Sequence, residues 1–200
     1  MSISLSPVIG KICYPFFSRA AQNICKDCEP YIKKGSKILD LGCGHGIPSL
    51  AIKEHFKADL LGVDVSDQRI TDFPFRLMDG KTLPFPSNSF DVVFITHVLH
   101  HTNNYLDLLK EAKRVSKKTI IIYEDLPEGF LSNFFCKTHG VLFNIFCMLK
   151  GGENNFKTEK QWLEIFNSLN LGVVHKKRLK VNFYYPIKYI HFVLAKNNEK

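Results

Sequence analysis

Four short apolar runs are spaced along the first two thirds of the chain, and each is rich in isoleucine, valine, leucine or phenylalanine. Runs of this length and composition are typical of strands that are buried on both faces. Segments with helical spacing lie between them, and strands that alternate with helices predict a doubly wound parallel sheet. The predicted strands are Lys37 to Asp40, Leu60 to Asp64, Val92 to Thr96 and Thr119 to Tyr123.

Two of the intervening segments predict helices that pack on the sheet through one apolar face. Ile47 to Phe56 follows a glycine-rich loop and has helical character. Tyr105 to Val115 carries apolar residues at helical spacing, at Leu106, Leu109 and Ala112. We therefore expect these two segments to cover the sheet.

The last third of the chain predicts one more helix followed by two strands. Thr158-Glu159-Lys160-Gln161 has the pattern of a capping box, which marks a helix start, and Gly172 is predicted just past the helix end. Lys176 to Tyr185 and Tyr189 to Ala195 are strand-like runs joined through Pro186, close enough for an antiparallel hairpin. The helix has one apolar stripe, which indicates core packing, at Trp162, Ile165, Phe166 and Leu169.

These elements predict an α/β fold with a doubly wound, mostly parallel seven-stranded sheet, a C-terminal antiparallel hairpin and helical cover segments. The cover segments are two aromatic-rich stretches, around Tyr14 to Phe17 and from Phe130 to Met148. Ligands of such sheets bind at the carboxyl ends of the strands, and long connections near that edge often act as lids. We expect both stretches to be mobile without ligand and to close when ligand binds.

The chain is basic, with a net charge of +8, which favours partners that carry negative charge. Nucleic acid and an anionic membrane surface therefore stay open as alternatives to a small molecule. Each basic cluster adjoins a strand end or a helix face, so a solvated surface is the simpler interpretation. The clusters are Lys33 to Lys37, Lys110 to Lys118 and Lys176 to Lys180.

The N-terminus and the six cysteines indicate a reduced, cytoplasmic protein. Met1 to Gly10 lacks the charged start and continuous apolar stretch that a secretory signal needs. Reduced thiols are favoured over disulfides in a protein that is not exported. Cys25 and Cys28 have metal-ligand spacing, but no second pair follows them, and no metal site is predicted.

A glycine-rich loop follows the first strand, and its position predicts a cofactor site. Gly42, Gly44 and Gly46 lie between a strand and a helix, where tight turns let a ligand approach the backbone. Ile47 stands where the dinucleotide pattern G-x-G-x-x-G requires its third glycine, which weakens the case for a nicotinamide cofactor. Asp64 ends the second strand about 20 residues further on, where an acidic side chain binds ribose hydroxyls.

Two sequence blocks resemble class I S-adenosyl-L-methionine-dependent methyltransferases. Lys37 to Gly46 resembles their first motif, and Leu83 to Val93 resembles the more specific block before their fourth strand. Val98-Leu99-His100-His101 is similar to the ubiquinone and menaquinone biosynthesis type within that class. The resemblance covers Gly35 to Asp125, and it implies a Rossmann-like fold, methyltransferase activity and S-adenosyl-L-methionine as cofactor.

The resemblance also implies how the cofactor would be held. The glycine loop would surround its amino acid part, Asp64 would accept from its ribose, and Asp79, after a short strand Phe75 to Met78, would accept from its adenine amino group. The residues implied to contact the cofactor are Asp40, Gly42, Cys43, Gly44, Gly46, Asp64, Val65, Asp79, Gly80, Thr96 and His97.

The chain departs from the family pattern at two connections. The helix after the second strand is expected to shrink to Ser66 to Thr71, because Pro74 cuts it off. The Lys-Pro-Gly-Gly turn customary before the fifth strand is replaced by Ser116-Lys117-Lys118, which we expect to alter only a loop.

Histidines near the end of the fourth strand are the candidates for acid–base chemistry. His101 is the first choice as catalytic base, with Tyr14 from the N-terminal cover, because the resemblance extends to phosphoethanolamine methyltransferases with a histidine and a tyrosine at these places. An imidazole suits removal of a proton from an ammonium or phenolic acceptor at neutral pH. His97 and His100 are close competitors, and the rival interpretation is that one histidine merely caps the helix beginning near Asn103 or binds a backbone carbonyl.

We treat residues 1–200 as one predicted domain, because this length suits a single hydrophobic core. Within it we assign an N-terminal helical cover at 1–34, a cofactor-binding core at 35–125, a lid insertion at 126–157 and a C-terminal helix with hairpin at 158–200. The predicted function is methyl transfer to a small or partly apolar acceptor. Two alternatives are an RNA- or membrane-surface-binding protein that retains the pocket, including RNA methylation, and a small NAD-dependent oxidoreductase.

Overall fold

A computed structural model describes residues 11, 12, 14–147, 155–179 and 187–197, with the backbone alone for residues 139–147. Helices α1 to α5 span Tyr14–Cys28, Ile47–Phe56, Tyr105–Val115, Phe130–Cys147 and Glu159–Ser168. Strands β1 to β7 span Lys37–Leu41, Asp59–Asp64, Phe75–Leu77, Phe90–Thr96, Ser116–Leu126, Leu171–Leu179 and Lys188–Lys196. A short 3₁₀ helix, Leu99–His101, follows β4.

The strands form one seven-stranded sheet in the order β3-β2-β1-β4-β5-β7-β6. The first five strands pair in parallel, and β7 runs antiparallel to both β5 and β6. The predicted doubly wound, mostly parallel sheet with an antiparallel C-terminal pair is therefore confirmed. The strand order reverses between β1 and β4, and such a reversal opens a crevice at the carboxyl edge of the sheet. The predicted connection through Pro186 lies outside the described residues.

Helices cover both faces of the sheet, each through its own hydrophobic cluster. On one face α3 and α5 pack on the sheet, with Leu109, Trp162 and Phe166 fully buried. On the other face Cys28 of α1 and Phe56 of α2 are buried with residues of the central strands. The capping box at the start of α5 is confirmed, because Thr158 and Gln161 exchange side-chain and backbone hydrogen bonds. In the described part of the chain, no helix combines the length and the apolar character needed to cross a bilayer.

Three local predictions were wrong. Leu106 is exposed, and the buried face of α3 is formed by Leu108, Leu109, Ala112 and Val115, which repeat at the helical period. Gly172 lies inside β6, because Asn170 adopts the left-handed conformation (φ 52°) and turns the chain after α5. No loop precedes β5, since α3 ends at Val115 and the strand begins at Ser116.

A buried histidine makes the stability of this fold sensitive to acid. His191 of β7 has no solvent exposure, and its ring stacks on that of Tyr123 with centroids 4.4 Å apart. Among the described residues neither ring nitrogen has a hydrogen-bond partner. Burial lowers the pKa of His191 to about 4, with Asp27 opposing this shift and His175 and Lys177 adding to it. The folded protein therefore holds His191 neutral.

Protonation of His191 should weaken folding as the pH falls. The unfolded chain binds this proton with a pKa of about 6.5, so the stabilisation is complete above that pH and is lost towards pH 4. We expect about 3 kcal/mol of the free energy of unfolding to disappear between pH 7 and pH 4 through this group. Urea unfolding at pH 7 and at pH 4 measures this loss of stability. His191→Phe should lose less stability than the wild type over this interval, whereas His55→Gln, at an exposed site, should behave like the wild type. An unchanged pH dependence in His191→Phe would contradict the assignment.

Candidate functional site

The loop after β1 is shaped to receive a ligand. The backbone N–H of Gly42 donates to Val63 O at 2.8 Å and that of Gly46 to Cys43 O at 2.9 Å, which fixes the loop against β2. Gly42 has φ 80°, and a Cβ there would lie 2.4 Å from Val98 Cγ2, so only glycine fits. Apart from Gly44 and its two chain neighbours, no atom of the described residues lies within 4 Å of the position that a Cβ would take at Gly44. The backbone at Gly44 is thus open to an approaching ligand.

Asp40, near the end of β1, presents a buried carboxylate below this loop. The Ser49 hydroxyl donates to its Oδ2 at 2.5 Å, while Oδ1 has no hydrogen-bond partner among the described residues. Burial raises the pKa of Asp40 to about 7, and the charge of Asp64 adds to this shift. A buried acceptor without a donor is costly, so this oxygen suits an ammonium or N–H group brought by a ligand. Ser49 was not predicted as a site residue, although its position in the first turn of the helix after the glycine loop indicates one.

Asp64, at the end of β2, is joined to the glycine loop. Its Oδ2 accepts from the Gly44 N–H at 2.9 Å, and its Oδ1 accepts from the Val65 N–H at 2.7 Å. Burial raises the pKa of Asp64, although these amide donors oppose the shift. The structure therefore brings Asp40, Asp64 and the glycine loop together, as the sequence predicted.

The predicted helix from Ser66 to Thr71 is absent, because this segment consists of bends. It folds over the glycine loop, where the Ile70 N–H and the Thr71 hydroxyl both donate to His45 O, at 3.0 and 3.3 Å. Arg69 fixes the bends by donating to the Asp67 carboxylate and to Phe73 O. These hydrogen bonds replace those of a helix and form one wall of the site.

Asp79 and Gly80 follow β3 in a tight turn. The Asp79 carboxylate accepts from the Lys81 and Thr82 N–H groups, both at 2.8 Å, and from the Thr82 hydroxyl at 2.9 Å. The backbone hydrogen bonds from Thr82 and Lys81 and the hydroxyl of Thr82 lower the pKa of this exposed carboxyl. Asp79 is thus ionised and held at the carboxyl edge, and its contact with adenine stays a prediction.

His97 follows Thr96, the last residue of β4, in a left-handed conformation with φ 54°. Its Nδ1 lies 2.9 Å from Oδ1 of Asp125, a fully buried carboxylate on β5, while the imidazole itself is 31 % exposed. Burial lowers the pKa of His97, but the charge and the hydrogen bond of Asp125 outweigh it, and the pKa lies above its ordinary value of 6.5. The result is a basic imidazole, oriented by a carboxylate, next to the crevice.

His100 and Glu124 form the support beneath this histidine. Both are fully buried, with His100 Nδ1 2.6 Å from Glu124 Oε2. Glu124 Oε1 also accepts from the Val98 N–H at 3.1 Å and the Leu99 N–H at 2.8 Å. Because His100, Glu124 and Asp125 are all fully buried, they hold the turn after β4 from within the core.

The remaining predicted residues lie around the same edge. His101 closes the 3₁₀ helix through a hydrogen bond from its N–H to Val98 O at 3.0 Å, and its ring centroid is 4.0 Å from that of His100. Tyr14 is exposed at the start of α1, where Phe17 comes within 6.3 Å of His45 in the glycine loop. Catalytic roles for His101 and Tyr14 stay predictions.

Sequence reasoning missed Tyr189 as a residue of this edge. Tyr189 pairs with Asp125 across β5 and β7, and its ring centroid is 5.7 Å from that of His97. The register of the antiparallel pair was the missing information, since it decides which aromatic residue of the hairpin faces Asp125.

Residues 39–123 match a family model described as a methyltransferase domain, and they contain the loop, both carboxylates and the turn after β4. The matched segment is thus a methyltransferase domain, similar to those of the class I S-adenosylmethionine-dependent methyltransferases. The residues of this domain fit S-adenosylmethionine, because the open loop at Gly44 and the Asp40 oxygen that lacks a donor among the described residues suit its amino acid part, and Asp64 suits its ribose. When bound, S-adenosylmethionine supplies a methyl group on a sulfonium.

Curated relatives of the methyltransferase differ in the acceptor that they are named for. Sterol 24-C-methyltransferase of Aspergillus fumigatus is 26 % identical over 78 % of this chain and 46 % of its own length. Demethylmenaquinone methyltransferase of Lysinibacillus sphaericus is 34 % identical over 43 % of this chain and 42 % of its own length. The methyltransferase thus spans less than half of either relative. The ubiquinone and menaquinone type is not confirmed and stays a prediction.

A solved structure supports the fold over nearly the whole chain. Magnesium protoporphyrin IX methyltransferase from Synechocystis, determined with bound S-adenosylhomocysteine, has a TM-score of 0.66 and 15 % sequence identity. The match covers 90 % of this chain and 83 % of that one. It extends the class I fold beyond the residues matched by the family model.

Proposed function

We propose that the methyltransferase transfers a methyl group to a small or partly apolar acceptor whose attacking atom carries an ionisable proton. The observation that carries this proposal is the pair of His97 and Asp125 at the carboxyl edge, with Nδ1 and Oδ1 2.9 Å apart. An ammonium, phenol or quinol has to lose a proton before its lone pair can attack a methyl group. A basic imidazole beside the crevice suits that task.

The chain's residues divide the work between binding and proton transfer. Asp40, Asp64 and the glycine loop would hold the cofactor, and the turn after β4 would present His97 to the acceptor. An imidazole whose Nδ1 donates to a carboxylate carries its basic lone pair on Nε2 and is stabilised when it takes a proton. Asp125 therefore both orients His97 and raises its pKa. Tyr189, beside His97, gives the edge a partly aromatic character that suits a ring or an alkyl chain.

The charge distribution supports a small acceptor over a nucleic acid. Two of the basic clusters found in the sequence are largely neutralised by ion pairs, such as Lys117 with Asp91 at 2.8 Å and Lys176 with Glu159 at 2.7 Å. Lys177 pairs with Asp27 at 2.6 Å. Cations held this way are poorly placed to bind phosphates, so RNA methylation is less favoured. The match of residues 39–123 to a methyltransferase domain disfavours the NAD-dependent oxidoreductase.

Cofactor binding is tested by calorimetry with S-adenosylmethionine, S-adenosylhomocysteine and NAD. We expect the first two to bind and Asp64→Ala to weaken them by about 1 to 3 kcal/mol, because buried polar partners lose their acceptor. Asp59→Ala is the matched control, since Asp59 is an exposed aspartate at the opposite end of the same strand. Binding of NAD alone would refute the proposal, and an equal loss in both variants would refute the role of Asp64.

The acceptor class is tested by a screen with cofactor labelled on its methyl group. Amines, phenols and quinols are the expected acceptors, and structured RNA is the contrasting one. Label transfer to RNA alone would overturn the small-acceptor proposal while leaving cofactor binding intact. Transfer to an acceptor without an ionisable proton would overturn the requirement for a base.

A further inference from the structure

Large apolar side chains are exposed at the beginnings of two helices. Phe130 is 86 % exposed and Leu131 65 % exposed at the start of α4, and Ile12, just before α1, is 71 % exposed. Exposed apolar side chains that occur singly need no explanation, but several on neighbouring turns mark an interaction surface. We call this set the apolar rim, and it consists of Ile12, Tyr14, Phe16, Phe17, Phe130, Leu131 and Phe134.

Both parts of the apolar rim lie at the carboxyl edge of the sheet. Phe17 lies beside His45 of the glycine loop, which follows β1. Phe130 begins the helix that follows the last residue of β5, Leu126, and this helix is tied to that residue because the Ser132 hydroxyl donates to Leu126 O at 2.6 Å. One strand, β4, separates β1 from β5, so the two strand ends are about 10 Å apart. The rim therefore flanks the crevice of the proposed active site.

The charges around the rim that have no ion-pair partner among the described residues are positive, whereas Glu128, two residues before Phe130, is paired with Arg178 at 2.7 Å. Lys11 and Arg19 accompany its α1 part, and Lys137 lies one turn after Phe134 in α4. Lys188 brings its Nζ beside Gly129, immediately before α4. None of these four cations has an acidic partner in an ion pair among the described residues, whereas many of the other basic residues do. The sequence also has no Asp or Glu from 11 to 26 or from 129 to 147.

We propose that the apolar rim docks the protein on the surface of an anionic membrane. Aromatic side chains beside Lys and Arg are the combination that binds the interface of such a bilayer, since the rings enter the headgroup region and the cations contact lipid phosphates. A protein partner would more often supply acidic side chains matched to individual cations. RNA bases can stack on the aromatic rings, but RNA gains little from the exposed aliphatic side chains of Ile12 and Leu131. This docking turns the crevice towards the bilayer and does not depend on which acceptor is methylated.

The proposal is tested by sedimentation of the full chain with vesicles. Phosphatidylcholine vesicles are compared with vesicles that also contain phosphatidylglycerol, across a salt series. We expect binding to the anionic vesicles, weakened by salt, with a loss of about fivefold for each of Arg19→Gln and Lys137→Gln. Lys117→Gln, which removes a cation already paired with Asp91, should bind like the wild type.

Apolar variants separate insertion from simple charge attraction. Phe130→Ser with Phe134→Ser should reduce binding at least tenfold, whereas Val174→Ser, at an exposed valine on β6, should leave it unchanged. Calorimetry with S-adenosylhomocysteine shows whether each variant is folded. It also separates the two proposals, because a variant can lose vesicle binding while it still binds the cofactor product. Equal binding by the double variant and the control would overturn the proposal. So would no binding to anionic vesicles, rim-dependent binding to RNA, or a dimer in which these residues are buried.

Discussion

Replacing Glu124 by alanine should lower the free energy of unfolding by about 3 to 5 kcal/mol, the range for a buried charge network that loses one partner. The carboxylate of Glu124 accepts from the N–H groups of Val98 and Leu99 and lies 2.6 Å from the ring of His100. All of these contacts are buried or partly buried, so alanine leaves donors that water reaches poorly. Urea unfolding at pH 7 measures the loss.

Two further variants show whether this effect comes from the network. Asp107→Ala removes one member of the exposed pair with Lys110 and should cost no more than about 0.5 kcal/mol. Glu124→Gln keeps an oxygen for the N–H groups of Val98 and Leu99 but places an amide NH₂ among the polar atoms of the turn. The loss of stability in Glu124→Gln should therefore lie between the losses in Glu124→Ala and Asp107→Ala. A loss in Glu124→Ala as small as in Asp107→Ala would show that the turn is held by packing alone.

The strands and most helices could be predicted because their signals are local. The runs of β1, β2, β4 and β5 are short but mostly apolar, which marks strands buried on both faces, and the capping box of α5 lies within four residues. The glycine loop with Asp64 could also be predicted, since a ligand approaching the backbone requires those residue types in that order. These parts of the fold and of the site are therefore determined by short, continuous stretches of the sequence.

The parts that could not be predicted depend on contacts between distant segments. The bends that replace a helix after β2 are stabilised by hydrogen bonds to His45, 25 residues earlier than Ile70. The pairing of His97 with Asp125 follows from the parallel register that sets Thr96 opposite Tyr123. Both His97 and His100 meet a carboxylate, and sequence spacing alone could not decide which of them stays accessible: His97 is 31 % exposed, whereas His100, paired with Glu124, is fully buried.

The register therefore changes the ranking of the candidate bases. His101 ranked first in the sequence because of a family resemblance, whereas the structure gives His97 a buried carboxylate at hydrogen-bond distance and an imidazole 31 % exposed. A catalytic base needs both orientation and access to the acceptor. We therefore favour His97 as the catalytic base. A catalytic role for His101 is the alternative that the following experiment distinguishes.

Replacing His97 should lower turnover about 100-fold or more once an acceptor is known, a loss well above any change in the affinity for S-adenosylmethionine, which His97 is also implied to contact. His97→Asn is the better variant, because asparagine tolerates the left-handed backbone at this position (φ 54°) more readily than alanine does. His101→Ala should retain most of the activity. The opposite pattern, with turnover lost in His101→Ala and kept in His97→Asn, would assign the base to His101.

The pH dependence separates a base from a residue that only positions the acceptor. His97 accepts a proton only when neutral, and Asp125 holds its pKa above 6.5, so turnover should fall as the pH drops through a value higher than that. In Asp125→Asn the charge that favours the imidazolium is gone, and burial then lowers the pKa of His97. The acidic limb of the profile should move to lower pH, and an NMR titration of the His97 ring should move with it. If the acidic limb of the turnover profile stays in place while the NMR titration of His97 shifts, a group other than His97 removes the proton from the acceptor.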